Sequence, residues 1–194
     1  MIHILPHWNW QGFDKQEIPV WCYSNCESVE LFLNGQSLGE KKFINTEDLH
    51  LLWKVPYSPG TLKAAAKNKG KIVCTDEAQT AGAPAKIILS PDRTEISANG
   101  KDLSYVKVEI MDKEGCVCPN ADNLVKFKIE GKGFIAGVDN GNPISHEYFK
   151  TNKGKVFHGL CLVVVQAKNE RGAIRLSAES AGLQAADLSI NVNK

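Results

Sequence analysis

Val29-Glu30-Leu31-Phe32-Leu33-Asn34-Gly35-Gln36-Ser37-Leu38-Gly39 decides the fold class of this chain. Apolar residues alternate along its first half, as they do on a strand with one face turned inward. Asn34-Gly35 then supplies the positive φ angles of a type I′ turn, so the stretch predicts a β-hairpin.

The same habit continues on either side. Pro19-Val20-Trp21-Cys22-Tyr23 lies upstream, and Leu51-Leu52-Trp53-Lys54-Val55, Gly60-Thr61-Leu62-Lys63-Ala64-Ala65-Ala66 and Lys71-Ile72-Val73-Cys74 follow. Short β-branched and aromatic runs between Gly, Pro, Asn and Asp predict antiparallel strands, and no segment has the period of an amphipathic helix. These strands form a small sandwich over residues 15–80, with Trp21 and Trp53 as its expected core anchors. A unit of roughly 65 residues is near the lower limit for an independent core and is expected to lean on a neighbour.

Gln79-Thr80-Ala81-Gly82-Ala83-Pro84-Ala85 is small and weakly apolar, which reads as a linker centred on residues 81–85. Beyond it, residues 86–194 offer strands at Lys86–Ser90, Ser104–Met111, Val125–Ile129, Phe134–Val138, Leu160–Val165, Ala173–Ala178 and Ala186–Ile190. About seven strands with one-sided burial are expected of an immunoglobulin-like domain. The expected fold is therefore all-β, with two consecutive immunoglobulin-like β-sandwich domains. No Cys…Trp…Cys core signature marks an antibody-type domain.

Composition narrows the function. Of 194 residues, 43% are hydrophobic and 23% charged, a globular balance, and the net charge of +1 gives no field to attract nucleic acid. The longest apolar run, Leu160–Val165, suits a buried strand and is too short to span a bilayer. The start of the chain has neither a basic leader nor an apolar stretch ending in small residues. Six cysteines lack the spacing of a disulfide framework or a zinc site, so no metal or other cofactor is expected.

Two stretches are candidate binding sites. His7-Trp8-Asn9-Trp10 spends two of four tryptophans within three residues near the start of the chain. Trp8 and Trp10 could stack on the C–H face of a pyranose while His7 and Asn9 supply hydrogen bonds, or, at spacing two on an extended segment, pack against a neighbouring domain. The second reading is preferred. Asp139, Asn140 and Asn142, around Gly141, could ligate calcium or hold sugar hydroxyls, yet the same residues are what a tight turn requires, and the turn is preferred. No carboxylate pair suited to glycoside hydrolysis stands out. Asn169-Glu170 precedes Arg171-Gly172 and reads as a solvated turn.

In order and content the motifs resemble the region that follows the catalytic barrel in bacterial β-galactosidase-like enzymes of glycoside hydrolase family 2. The first half carries this resemblance in His7-Trp8-Asn9-Trp10, Val29–Gly35, Trp53-Lys54-Val55-Pro56-Tyr57-Ser58-Pro59-Gly60 and Thr80-Ala81-Gly82. The second carries it in Asp102-Leu103-Ser104, Asp112-Lys113-Glu114-Gly115, Pro119–Asn123, Gly137–Gly141 and Phe157-His158-Gly159-Leu160, part of which also resembles the repeats of invasin-type adhesins.

The resemblance implies a multidomain parent that retains configuration as it hydrolyses β-galactosides or related β-glycosides at two glutamates of a TIM barrel. The chain is then expected to be a non-catalytic C-terminal fragment whose partner is the missing barrel of the same polypeptide, met by residues 1–14 as an extended joining segment. The second sandwich would shape substrate access or contacts between copies in a homo-oligomer. A periplasmic, secreted or cell-surface location is expected of the parent. Two rival readings are a carbohydrate-binding module holding a polysaccharide or glycan, and an adhesin-type surface spacer.

Overall fold

The computed structural model describes residues 1–43 and 49–193. They contain no helix, and the chain divides into two compact units, Met1–Thr80 and Ala81–Lys194.

The first unit has seven strands: β1 (Ile2–Leu5), β2 (Glu17–Ser24), β3 (Ser28–Leu33), β4 (Gln36–Lys42), β5 (Leu51–Pro56), β6 (Thr61–Asn68) and β7 (Lys71–Gln79). They form two antiparallel sheets, ordered β1-β2-β5 and β4-β3-β6-β7. Alternation sets which side chains meet between them. Ile4, Ile18, Val20, Cys22, Trp53 and Val55 point inward from one sheet, and Val29, Leu31, Leu62, Ala64 and Ala66 from the other.

The β3–β4 hairpin turns at Asn34 and Gly35, with φ of 51° and 81°, as its sequence predicts. Asn34 is also tied to the turn between β5 and β6. Its side-chain oxygen accepts the Thr61 amide at 2.9 Å, and its amide donates to the Pro59 carbonyl at 3.1 Å. Gly60, at φ +137°, lies so close that a Cβ there would fall 1.8 Å from Asn34 Oδ1. On the outer face of this sheet Lys67 Nζ bridges Glu30 and Glu40, each at 2.7 Å.

Two expectations for this unit are corrected. Trp21 is not a core anchor: with Val20 and Cys22 pointing inward, period two turns Trp21 to the outer face. The anchor beside Trp53 is Trp8, which is fully buried. Nor do residues 1–14 form a separate arm, because β1 pairs with β2 from Ile2 to Leu5 and Trp8 enters the core.

The second unit has nine strands: β8 (Lys86–Pro91), β9 (Glu95–Ser97), β10 (Leu103–Met111), β11 (Leu124–Gly131), β12 (Gly133–Asp139), β13 (Lys153–Lys155), β14 (Leu160–Ala167), β15 (Gly172–Glu179) and β16 (Ala186–Asn193). Their sheets are ordered β12-β14-β10-β8 and β13-β11-β15-β16-β9. Val106, Val108, Ile110, Val163 and Val165 face Val125, Phe127, Ile174, Leu176 and Ile190 across the core. The two strands beyond the expected seven, β9 and β13, have three residues each, too few to show a period. β9 is the one strand pairing in parallel among the described residues, against β16.

Residues 81–85 are built into this second unit and do not stand apart as a linker. Ala81 is buried in its core, Gly82 N donates to Asp112 Oδ2 at 2.7 Å, and Ala85 N donates to the Met111 carbonyl at 2.8 Å. Asp112 Oδ1 accepts the amides of Gly115 and Cys116, each at 2.8 Å. Burial of Asp112 pushes its pKa up, but these backbone donors outweigh that and hold the carboxyl below its ordinary value.

Trp8→Ala in the 194-residue chain is expected to cost about 3–5 kcal/mol in urea unfolding, against about 1 kcal/mol or less for Trp21→Ala. Because the folded Asp112 binds its proton more weakly than the unfolded chain does, its contribution is complete above about pH 4–5 and lost as pH falls through the lower folded value. Asp112→Asn is therefore expected to lower stability at pH 7 and flatten the acid limb of stability against pH, measured by urea titrations from pH 3 to pH 7.

Candidate functional site

Two turns follow the tryptophan segment: Phe13 N donates to the Trp10 carbonyl at 3.0 Å and Gln16 N to the Phe13 carbonyl at 2.9 Å, so the chain beyond Trp10 is folded back rather than extended. Within the segment the two indoles differ in burial, Trp8 being fully buried and Trp10 half-buried.

Trp8 packs edge-on to Tyr57 with ring centroids 5.2 Å apart, and its indole N–H donates to the Ser58 carbonyl at 3.0 Å. Its own carbonyl accepts the Thr80 hydroxyl at 2.6 Å. With no exposed face, Trp8 can neither stack on a sugar nor meet another domain. Trp10 lies half-buried at the surface, stacked on His7 at 5.1 Å and edge-on to Phe13 at 5.9 Å. Its N–H donates to the His7 carbonyl at 2.9 Å, while His7 Nδ1 accepts the Asn9 amide at 3.2 Å. The polar atoms of the segment thus serve its own fold.

The loop after β12 brings Asp139, Asn140 and Asn142 together through three successive side-chain turns. Asp139 Oδ1 accepts Gly141 N at 3.1 Å, Asn140 Oδ1 accepts Asn142 N at 3.0 Å, and Asn142 Oδ1 accepts Ile144 N at 3.1 Å. Asn140 Nδ2 reaches the Lys155 carbonyl at 3.0 Å and pins the loop to β13. One side-chain oxygen each of Asp139, Asn140 and Asn142 thus serves the turn. Among the described residues no group of three His, Cys, Asp or Glu side chains is placed to hold a metal ion.

Beside this turn is a hollow of about 40 Å³, bounded by Asp139, Asn142, Glu147, Tyr148, Phe149 and Lys153. A pocket that encloses a small organic ligand is roughly 300 Å³ or more, so the hollow admits about one water-sized group. Its rim is a different matter. Ile144, Tyr148 and Phe149 are between 64% and 86% exposed, while the backbone is anchored by Val138 N donating to the Phe149 carbonyl at 2.8 Å. Sequence reading overlooked this rim; the signal for it was an aromatic pair, Tyr148-Phe149, in a stretch with no strand alternation.

Three glutamates are paired with lysines. Lys67 and Ser37 hold Glu30 below its ordinary pKa, and Lys67 with Ser28 does the same for Glu40. Glu170, in the Asn169-Glu170 turn, is exposed and held ionised by Lys132. A general acid needs the opposite shift, so that a carboxyl keeps its proton near neutrality. All six cysteines are free thiols, and burial pushes Cys22 and Cys161 up to about 12, with Asp76 and Glu147 respectively adding to the rise.

Comparison with known proteins gives this scaffold its setting. The chain is 50% identical over its whole length to Beta-galactosidase BoGH2A of Bacteroides ovatus, of which it spans 23%. Two solved structures share the fold over 98% of the chain. A glycosyl hydrolase family 2 member from Bacteroides cellulosilyticus matches with a TM-score of 0.93 at 44% identity, and a beta-glycosidase from Bacteroides vulgatus with 0.94 at 38%; the chain covers 24% of each. Residues 15–74 match a domain of unknown function (DUF4982). Residues 87–189, more than half of the chain, match Glycoside hydrolase family 2 C-terminal domain 5, and the chain belongs to that family.

Proposed function

We propose that this chain is the non-catalytic accessory module of a bacterial β-glycosidase that acts on β-galactosides with retention of configuration. The catalytic carboxylates would lie in another domain of the same polypeptide. The observation that carries this reading is identity of 50% along the entire chain to a β-galactosidase four times as long. Carboxylates engaged by lysines agree with a scaffolding role. The bacterial glycosidases it resembles suit an exported, periplasmic or cell-surface parent.

The purified 194-residue chain is expected to give no turnover of an aryl β-galactoside, and the intact polypeptide is expected to hydrolyse it. Turnover by the chain alone, abolished by Glu30→Gln or Glu170→Gln, would overturn the reading.

The exposed rim of the 139–149 loop favours a second reading, in which the module also touches a glycan. Tyr148 offers a ring face, and Asp139 Oδ2 and Asn142 Nδ2 have no protein partner among the described residues. Calorimetric titration of the chain with β-galacto-oligosaccharides is expected to show weak binding that Tyr148→Ala reduces at least about tenfold, a loss of ~1.4 kcal/mol. Binding equal in both proteins excludes this site.

A further inference from the structure

The outer faces of the first sandwich are unlike each other. On the β4-β3-β6-β7 sheet Phe32, Ala65 and the exposed Ile72 line a hollow, but they are set among Glu30, Glu40, Lys63, Lys67 and Glu77, joined by ion pairs of 2.7 Å. On the β1-β2-β5 sheet the register sets Leu5 opposite Trp21, and Trp21 opposite Leu52, making one apolar row across all three strands. Tyr23 extends it, opposite His3 and 5.6 Å from the ring of His50. Leu5, Tyr23 and Leu52 are 37–42% exposed, and the indole N–H of Trp21 has no protein partner among the described residues.

This row lies on strands whose other face is the core. Ile18-Pro19-Val20-Trp21-Cys22-Tyr23 has no charged residue, the pattern of a strand covered on both sides, whereas a solvated outer face would alternate with polar residues.

We infer that the Leu5–Trp21–Leu52 face of the β1-β2-β5 sheet is where the catalytic domain of the same polypeptide docks. The inference rests on the proposed function, and size and connection select this occupant. Three strands about 4.8 Å apart and roughly 17 Å long present a footprint on the order of 250 Å². A stable complex of separate molecules needs about 800 Å² per partner, so this row is too small to hold a free second copy. A tethered partner needs less, because the link supplies an effective concentration in the millimolar range. The relatives have about three quarters of their length outside the matched region. In a longer polypeptide the preceding residues arrive at this sheet, where the Met1 carbonyl accepts the Ser24 hydroxyl at 2.8 Å beside Tyr23.

The test compares maleimide labelling at Leu5→Cys and Leu52→Cys, read by peptide mass, in the 194-residue chain and in the intact polypeptide. Labelling at both positions is expected to be at least about tenfold slower in the intact polypeptide. Equal rates overturn the inference. So does protection already present in the 194-residue chain together with a doubled sedimentation mass, which assigns the face to a second copy. Hydrolysis of an aryl β-galactoside is read separately on the same samples. Activity without protection overturns this face and leaves the proposed function standing; protection without activity supports the face as a docking surface and overturns the enzymatic reading.

Discussion

Burial of Trp8 is the constraint on which the first sandwich depends. Its indole fills the space between two sheets whose other core residues are mostly Val, Leu, Ile and Ala. It also closes the unit covalently distant ends upon each other. The Trp8 carbonyl holds the Thr80 hydroxyl, that hydroxyl accepts Gly60 N at 3.1 Å, and the indole N–H holds Ser58. Residues at the start, middle and end of an 80-residue unit meet at one residue. A core this small gains more from one large aromatic with a satisfied donor than from several aliphatics in the same place.

Most of the fold was legible because alternation and turn chemistry agreed. Asn34-Gly35 marked the hairpin, and long strands such as β10 and β14 displayed their period over eight or nine residues. Alternation misleads where its phase is open or where it does not apply. The usual burial of tryptophan predicts Trp21 in the core, yet its neighbours Val20 and Cys22 turn it outward. Spacing two predicts one face for Trp8 and Trp10, yet Trp8 is fully buried while Trp10 lies half-buried with its indole N–H on the His7 carbonyl. β9 and β13 were invisible because three residues have no period; their partners β16 and β11 define them.

The candidate site was partly legible in the same way. Asp139, Asn140 and Asn142 announced a turn, and they form one. The exposed Ile144, Tyr148 and Phe149 beside it were not found, since an isolated aromatic pair says nothing of whether it faces in or out. The ion pairs were not legible: Lys67 with Glu30 and Glu40, and Lys132 with Glu170, join residues distant in sequence. What the comparisons contribute is that relatives carry the matching region within a longer polypeptide.

The contact between Asn34 and Gly60 has a consequence for how this sandwich can diverge. One turn lends its side chain to complete the other, and the space it occupies is the space a second Cβ would take. Gly60 is held twice over: a side chain there would need the space that Asn34 fills and a φ of +137° that L residues rarely adopt, so making room at 34 does not release it. Loss of the Asn34 side chain strips Thr61 and Pro59 of their partners together, and descendants of this fold should keep glycine at 60 whatever stands at 34.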